Sequence, residues 1–204
     1  MIFQLDLHQS QPEFTMDAAY LRSKHQAGVT YDQYVLTGTQ PQQENWNKFH
    51  AQVHLTPEQK SLVGAFTRKI NVIALSGVWC GDCVQQCPMF DHIARANPGA
   101  IDLRWVDRDQ HIDLTNQIKI NAGLRVPVLL FCAEDYELVG WYGDRVLTRY
   151  RSLAARNLGP SCPLPGAPVP QGEIAATLQE WLNEFERVHL LLRLSARLRQ
   201  IHKD

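Results

Sequence analysis

The run Ile70-Asn71-Val72-Ile73-Ala74-Leu75 leads almost directly into Val78-Trp79-Cys80-Gly81-Asp82-Cys83, and a helix-like stretch follows. No other part of the chain narrows the possible folds so far. A near-continuous apolar run of this length predicts a strand covered on both faces. Two cysteines two residues apart, placed where a strand feeds a helix, predict a redox pair rather than a metal clip. The helix N-terminus favours a Cys80 thiolate through its unpaired backbone N–H groups and macrodipole. The spacing sets Cys83 one helical turn on, close enough to close a small disulfide ring.

The segments around this motif predict the architecture. Residues 1–8 alternate apolar and polar, as a short strand or an extended arm. Residues 15–55 read as short helices: one capped by Thr15 and ending near Gly28, one opened by the capping box Thr30-Tyr31-Asp32-Gln33 and stopping at Gly38, and one opened by Pro41 with Trp46, Phe49 and Val53 on one face. Thr56-Pro57-Glu58-Gln59 is the clearest helix start, with Leu62, Val63, Phe66 and Ile70 following at helical spacing. The motif helix is expected over 80–97, with Pro88 kinking it. Strands at 103–106, 127–132 and 138–142 and helices at 112–120 and 145–157 complete the pattern. Strands separated by helices imply parallel crossovers, and the last two imply an antiparallel edge hairpin. The fold class is α/β: a mixed central sheet with helices on both faces. Residues 159–170 carry prolines too densely for helix or ladder and read as a stiff linker. From Gly172 to His202 a single long helix is expected, its acids first and its bases last. Its apolar face widens at residues 189–194, which predicts two packing partners.

Composition excludes several functions. A net charge of −1 gives no reason to expect nucleic acid or an anionic membrane as partner. No apolar run approaches the roughly 20 residues that span a bilayer. Residues 1–8 have neither a basic start nor a long apolar core, so no secretory signal is expected. Five cysteines, three of them between positions 80 and 87, suit a reducing, cytoplasmic setting better than a disulfide scaffold.

Trp79-Cys80-Gly81-Asp82-Cys83, Pro88 beyond the second cysteine, and Val126-Pro127 opening the next apolar strand resemble the thioredoxin family, in particular thioredoxin-like bacterial proteins with a Trp-Cys-Gly-Asp-Cys motif. The resemblance covers about residues 56–158. It implies a thioredoxin-like domain there, with residues 1–55 as an N-terminal helical extension and residues 171–204 as a C-terminal helix. It implies that Cys80 attacks, that Cys83 resolves the mixed disulfide, that Trp79 shields the site and that Gly81 lets a partner approach. Pro127 would follow a cis bond and face the cysteines, with Val126 offering its backbone to an extended substrate. Two positions depart from the family. Its buried acid falls on Ala74, and the central motif position, often proline, is Asp82, whose carboxylate is expected to tune the thiols by raising their pKa values.

The expected activity is therefore thiol–disulfide exchange on protein or small-molecule disulfides. It needs an external electron donor, a reductase or thiol pool, and no cofactor and no metal. The alternative is a non-enzymatic scaffold that uses its terminal helices to hold a partner or to form a homodimer through residues 171–204. Bland roles suit most other candidates. Cys87 and Cys132 read as core, Cys162 as an exposed thiol, His50 and His54 as solvated surface, and His92 and His111 as surface or capping residues. Asp102, Asp107, Asp109 and Asp113 read as a solvated loop rather than a cation site.

Overall fold

The computed structural model describes residues 16–158 and 172–204. The arm at 1–8, Thr15 and the linker at 159–170 with Cys162 lie outside the described residues. Four strands form one mixed sheet in the order β2-β1-β3-β4. β1 (Ile70–Ser76) is buried along its whole length, so both of its faces are covered. It runs parallel to β2 (Ile101–Asp107), from Ile70 opposite Ile101 to Ser76 opposite Asp107. β3 (Val128–Cys132) lies antiparallel to β1, and β4 (Leu138–Gly143) antiparallel to β3.

The antiparallel setting of β3 corrects the crossover expected before it. The intervening helix α6 spans only Ile112–Thr115 instead of 112–120. One turn covers about 6 Å, whereas returning along a strand of β2's length takes roughly 23 Å. The chain therefore re-enters the sheet at the end it has just left. Residues 116–127 stay there as loop, with Asn121 and Ala122 at positive φ and Ile120 bridged to Gly123. This short return brings Pro127 to the end of β1 where the cysteines stand.

The helices before the sheet follow their caps. α1 (Ala18–Ala27) ends at Gly28 as expected but is capped by Asp17, whose carboxylate accepts from the Tyr20 N–H at 2.8 Å. α2 (Tyr31–Val35) and α4 (Pro57–Gly64) carry the capping boxes read from the sequence, though α2 stops before Gly38. α3 (Gln40–His50) ends before Val53, which is buried all the same. Between α1 and α2, Val29 and Trp105 exchange backbone hydrogen bonds of 3.0 and 2.9 Å, which covers the outer edge of β2.

α5 (Gly81–Ala96) contains Pro88 within its length. α7 spans Leu147–Asn157. The single C-terminal helix expected over 172–202 is two, α8 (Glu173–Leu194) and α9 (Ala196–His202). Ser195 is extended, and its hydroxyl accepts from the Leu198 N–H, a local bond that competes with helix continuation. The break lets Arg197 and His202 pair with Asp135 and Glu134 in the β3–β4 turn. Trp181 of α8 meets Phe90 of α5 and Tyr142 of β4 at ring distances of 4.5 and 5.2 Å, and Phe185 meets Phe131 at 5.2 Å. α5, α8 and the β3–β4 hairpin thus share one apolar layer. Farther along α8, Val188, His189 and Leu192 are buried while Leu190, Leu191 and Leu194 are exposed. His189 stacks on Phe66 at 4.4 Å, so this stretch has a second packing partner on one side only. None of the described helices is long and apolar enough to cross a membrane.

Candidate active site

β1 ends at Ser76, and the turn Gly77-Val78-Trp79 hands the chain to α5. Trp46 of α3 donates its indole N–H to the Val78 carbonyl at 2.8 Å, which holds the turn against the N-terminal helices. Cys80 is the N-cap of α5, extended at φ −84 and ψ 123, so its side chain sits at the mouth of the helix. The Cys80 sulfur is partly exposed, while Cys83, one turn on, is fully buried. The Cys80 thiol donates to the Val126 carbonyl at 3.6 Å, across the cis Val126–Pro127 peptide. Trp79 is 47% exposed, with the Arg108 guanidinium 4.4 Å over its ring. A Cβ at Gly81 would meet nothing within 4 Å, so the flank of Cys80 is open there. Trp79, Cys80, Gly81, Cys83, Val126 and Pro127 therefore come together at one end of the sheet. Gly143 makes this assembly possible from below: a Cβ there would lie 2.5 Å from the Pro127 carbonyl oxygen.

In the dithiol the Cys80 pKa is raised, against the expectation from the helix N-terminus. Its hydrogen bond with Cys83 raises it most, then burial, and these outweigh the N–H groups of Cys83 and Asp82 that favour the thiolate. Burial lifts the Cys83 thiol well above the ordinary range. Asp82 acts differently from its expected role. Its carboxylate lies 2.5 Å from the Arg145 guanidinium and 3.3 Å from that of Arg149, so its charge is met outside the thiol pocket. Burial alone would raise the Asp82 carboxyl, but Arg145 and Arg149 together hold it below 3.8.

These arginines escaped the sequence reading. Arg149 lies in the first turn of α7 and Arg145 just before its cap, Val146, so no helix periodicity links the two in the sequence. Arg149 also pairs with Glu173 of α8, and Arg145 and Arg125 share Asp144. Gln86 is fully buried and was missed as well. It donates to the Asp144 carbonyl at 3.0 Å and accepts from the Trp181 indole at 3.1 Å, tying α5 to its neighbours.

The other candidates sit elsewhere. Cys87 and Cys132 are buried. His50 is not a solvated residue: it hydrogen-bonds the buried Asp91 at 2.8 Å and lies 4.2 Å from the His92 ring. His54 and His92 line a cavity of about 400 Å³ with Lys60 and Arg95. Asp102 and Asp113 are paired with Lys69, Arg104 and Lys24, while Asp107 accepts from the N–H groups of Asp109 and Gln110. Among the described residues no group of three or more histidines, cysteines or acids could hold a metal ion.

In structure the chain is similar to a Pseudomonas aeruginosa protein of unknown function, with a TM-score of 0.63 at 17% identity over 85% of this chain and 97% of the other. It is also similar to an HIV epitope-scaffold, with a TM-score of 0.58 at 17% identity over 86% and 98% of the two chains. At such identity the likeness speaks for the fold alone. No curated protein matches the sequence. The family profile described as thioredoxin matches residues 28–148, which takes in α2 and α3 as well as the sheet. The chain belongs to the thioredoxin family.

Proposed function

We propose that this protein is a thiol–disulfide oxidoreductase that reduces protein or small-molecule disulfides through Cys80 and Cys83. The observation that carries this is the geometry at the head of α5: a partly exposed sulfur with an open flank, a buried sulfur hydrogen-bonded behind it, and a backbone carbonyl 3.6 Å away. The Cys80 thiolate attacks one sulfur of the substrate disulfide and bonds to it as a mixed disulfide, while the other sulfur leaves as a thiolate and takes up a proton. Cys83 then attacks the Cys80 sulfur. The Cys80–Cys83 bond forms, the mixed disulfide breaks, and the second substrate sulfur leaves. Two electrons pass to the substrate, and an external reductase or thiol pool restores the dithiol.

Trp79 and Gly81 shape the approach, and the Val126 backbone beside Pro127 is where an extended substrate would bond. The direction proposed rests on the neutral surroundings of the two sulfurs, since among the described residues no charged side chain is hydrogen-bonded to either. A dithiol whose thiolates are not specially stabilised has little to lose on oxidation, which favours giving electrons. That chemistry suits a reducing, cytoplasmic setting. Reduction of insulin by the wild type and loss of that reduction in Cys80→Ser test the reading. A Cys83→Ser variant should trap substrates on Cys80, and a lysate that yields no mixed disulfides on it would count against the reading.

A second reading has its own observation. Leu190, Leu191 and Leu194 form an exposed apolar strip on α8. A second copy of the chain placed about a two-fold axis covers such a strip with its own, as a self-complementary patch allows. This supports a homodimer through residues 171–204, with or without catalysis.

A further inference from the structure

Cys83 presents a chemical difficulty. Resolution requires it as a thiolate, yet its sulfur is fully buried, and an unpaired anion in an apolar interior is strongly disfavoured. The groups around it are neutral. From α5 it meets Cys80 and Cys87, and from β1 it meets Ser76. From α2, Tyr34 faces the same sulfurs, and the charged group on that side, Asp107, acts on Tyr34. The Ser76 hydroxyl and the Cys87 sulfur stand 3.4 Å apart, and Ser76, Cys83 and Cys87 are each fully buried. Among the described residues no carboxylate, imidazole or guanidinium is hydrogen-bonded to these sulfurs. The carboxylate next in sequence, Asp82, is taken up by Arg145 and Arg149. On β1 itself, Ala74 offers no polar atom.

We propose that Ser76 and Cys87 are the hydrogen-bond donors that carry Cys83 as a thiolate through the resolving step. The proposal rests on the exchange chemistry given above. Hydroxyl and thiol hydrogens turn about their single bonds, so both groups can aim at the sulfur once its proton has gone. Donation to a charged acceptor favours the charged form. Burial holds the Cys83 thiol up, Cys80 and Ser76 pull it downward, and its contact with Cys87 holds it up. Ionisation reverses the contact with Cys87. Cys83 then attacks the Cys80 sulfur of the mixed disulfide, and the S–S bond to the substrate breaks. The departing thiolate takes up a proton that matches the one Cys83 released.

Stopped-flow reaction of the reduced full-length protein with dithiobis-nitrobenzoate separates the two steps. The first release of coloured thiolate reports attack by Cys80, and the second reports resolution by Cys83. In Ser76→Ala the first phase should be unchanged. The second should slow on the order of tenfold near neutral pH, with its pH midpoint moved upward by about one unit, as loss of a hydrogen bond to a charged group implies. Ser76→Thr should restore both. Cys87→Ala should shift the second phase in the same direction by less, and it serves if Ser76→Ala does not fold. A second phase with the wild-type rate and midpoint in either variant overturns the proposal. Absence of the first phase in the wild type would instead overturn the oxidoreductase reading itself.

Discussion

The two ends of α5 hold their polar groups in opposite ways. At the N-terminal end, Cys80, Cys83 and Cys87 share a pocket in which every hydrogen-bond partner is neutral, while the one nearby acid is paired with arginines of another helix. At the C-terminal end, the buried carboxylate of Asp91 is bonded directly to His50 at 2.8 Å and to Arg95 at 2.7 Å, and Arg95 pairs in turn with Asp32. Charge is satisfied at once in the second place and kept out of the sulfur pocket in the first. The difference separates a cluster that holds helices together from one left chemically unsatisfied. Asp91 and its partners tie α5 to α2 and α3. Cys80 has a long backbone contact and an open flank.

Substitutions at matched positions probe this contrast. Cys80→Ser should abolish disulfide reduction, measured as insulin turnover, since no other described thiol is exposed at this end. Asp91→Asn should cost about 1–3 kcal/mol of stability, because it leaves a cation and an imidazole short of a buried partner. Its insulin turnover should equal that of the wild type, and chemical denaturation checks the loss. If Asp91→Asn impaired turnover while leaving stability intact, the contrast between the two ends would fail.

Asp82→Asn should act less on stability and more on the thiol. Removing that charge leaves Arg145 to Asp144 and Arg149 to Glu173 and takes one negative charge from the head of the helix, which favours the Cys80 thiolate. The pH midpoint of iodoacetamide alkylation at Cys80 should therefore fall, and the rate at neutral pH should rise about several-fold. The Asp82 pKa is lowered in the fold, so its contribution to stability is present above 3.8 and fades as the pH falls below that value. Wild type and Asp82→Asn should then converge in acid.

A smaller effect comes from the histidines. Burial lowers His92, His25 and His189 below 6.5, and the His189 ring accepts from the Thr67 N–H at 3.0 Å, a bond that only the neutral ring can make. The unfolded chain binds protons here before the folded one does. Stability is therefore complete above 6.5 and declines as the pH falls below it, read as a Tm lowered by a few degrees. The smallest expected change is in assembly. Leu190→Lys with Leu194→Lys should shift light-scattering mass toward the monomer without altering turnover, and a monomeric wild type would remove the dimer.

Much of the site was legible from local signals. The two-residue spacing, the strand before it and the helix after it place Cys80 and Cys83 without reference to anything distant. The Thr30 and Thr56 boxes likewise mark α2 and α4, because a cap acts within three residues. Ser195 was less visible. Its hydroxyl breaks a helix whose apolar stripe continues past it, and a periodic pattern does not register one local bond.

The sequence alone determined where Cys80 and Cys83 stand, the strand that precedes them and the family the chain belongs to, since each rests on residues close together in the chain. Only the tertiary structure decided that β3 returns antiparallel, that Arg145 and Arg149 claim Asp82, and that Ser76 of β1 lies beside Cys83 and Cys87. Those contacts depend on how far a one-turn helix can carry the chain and on which side chains two packed elements then bring together. Neither quantity is written in the spacing of residues along a single segment.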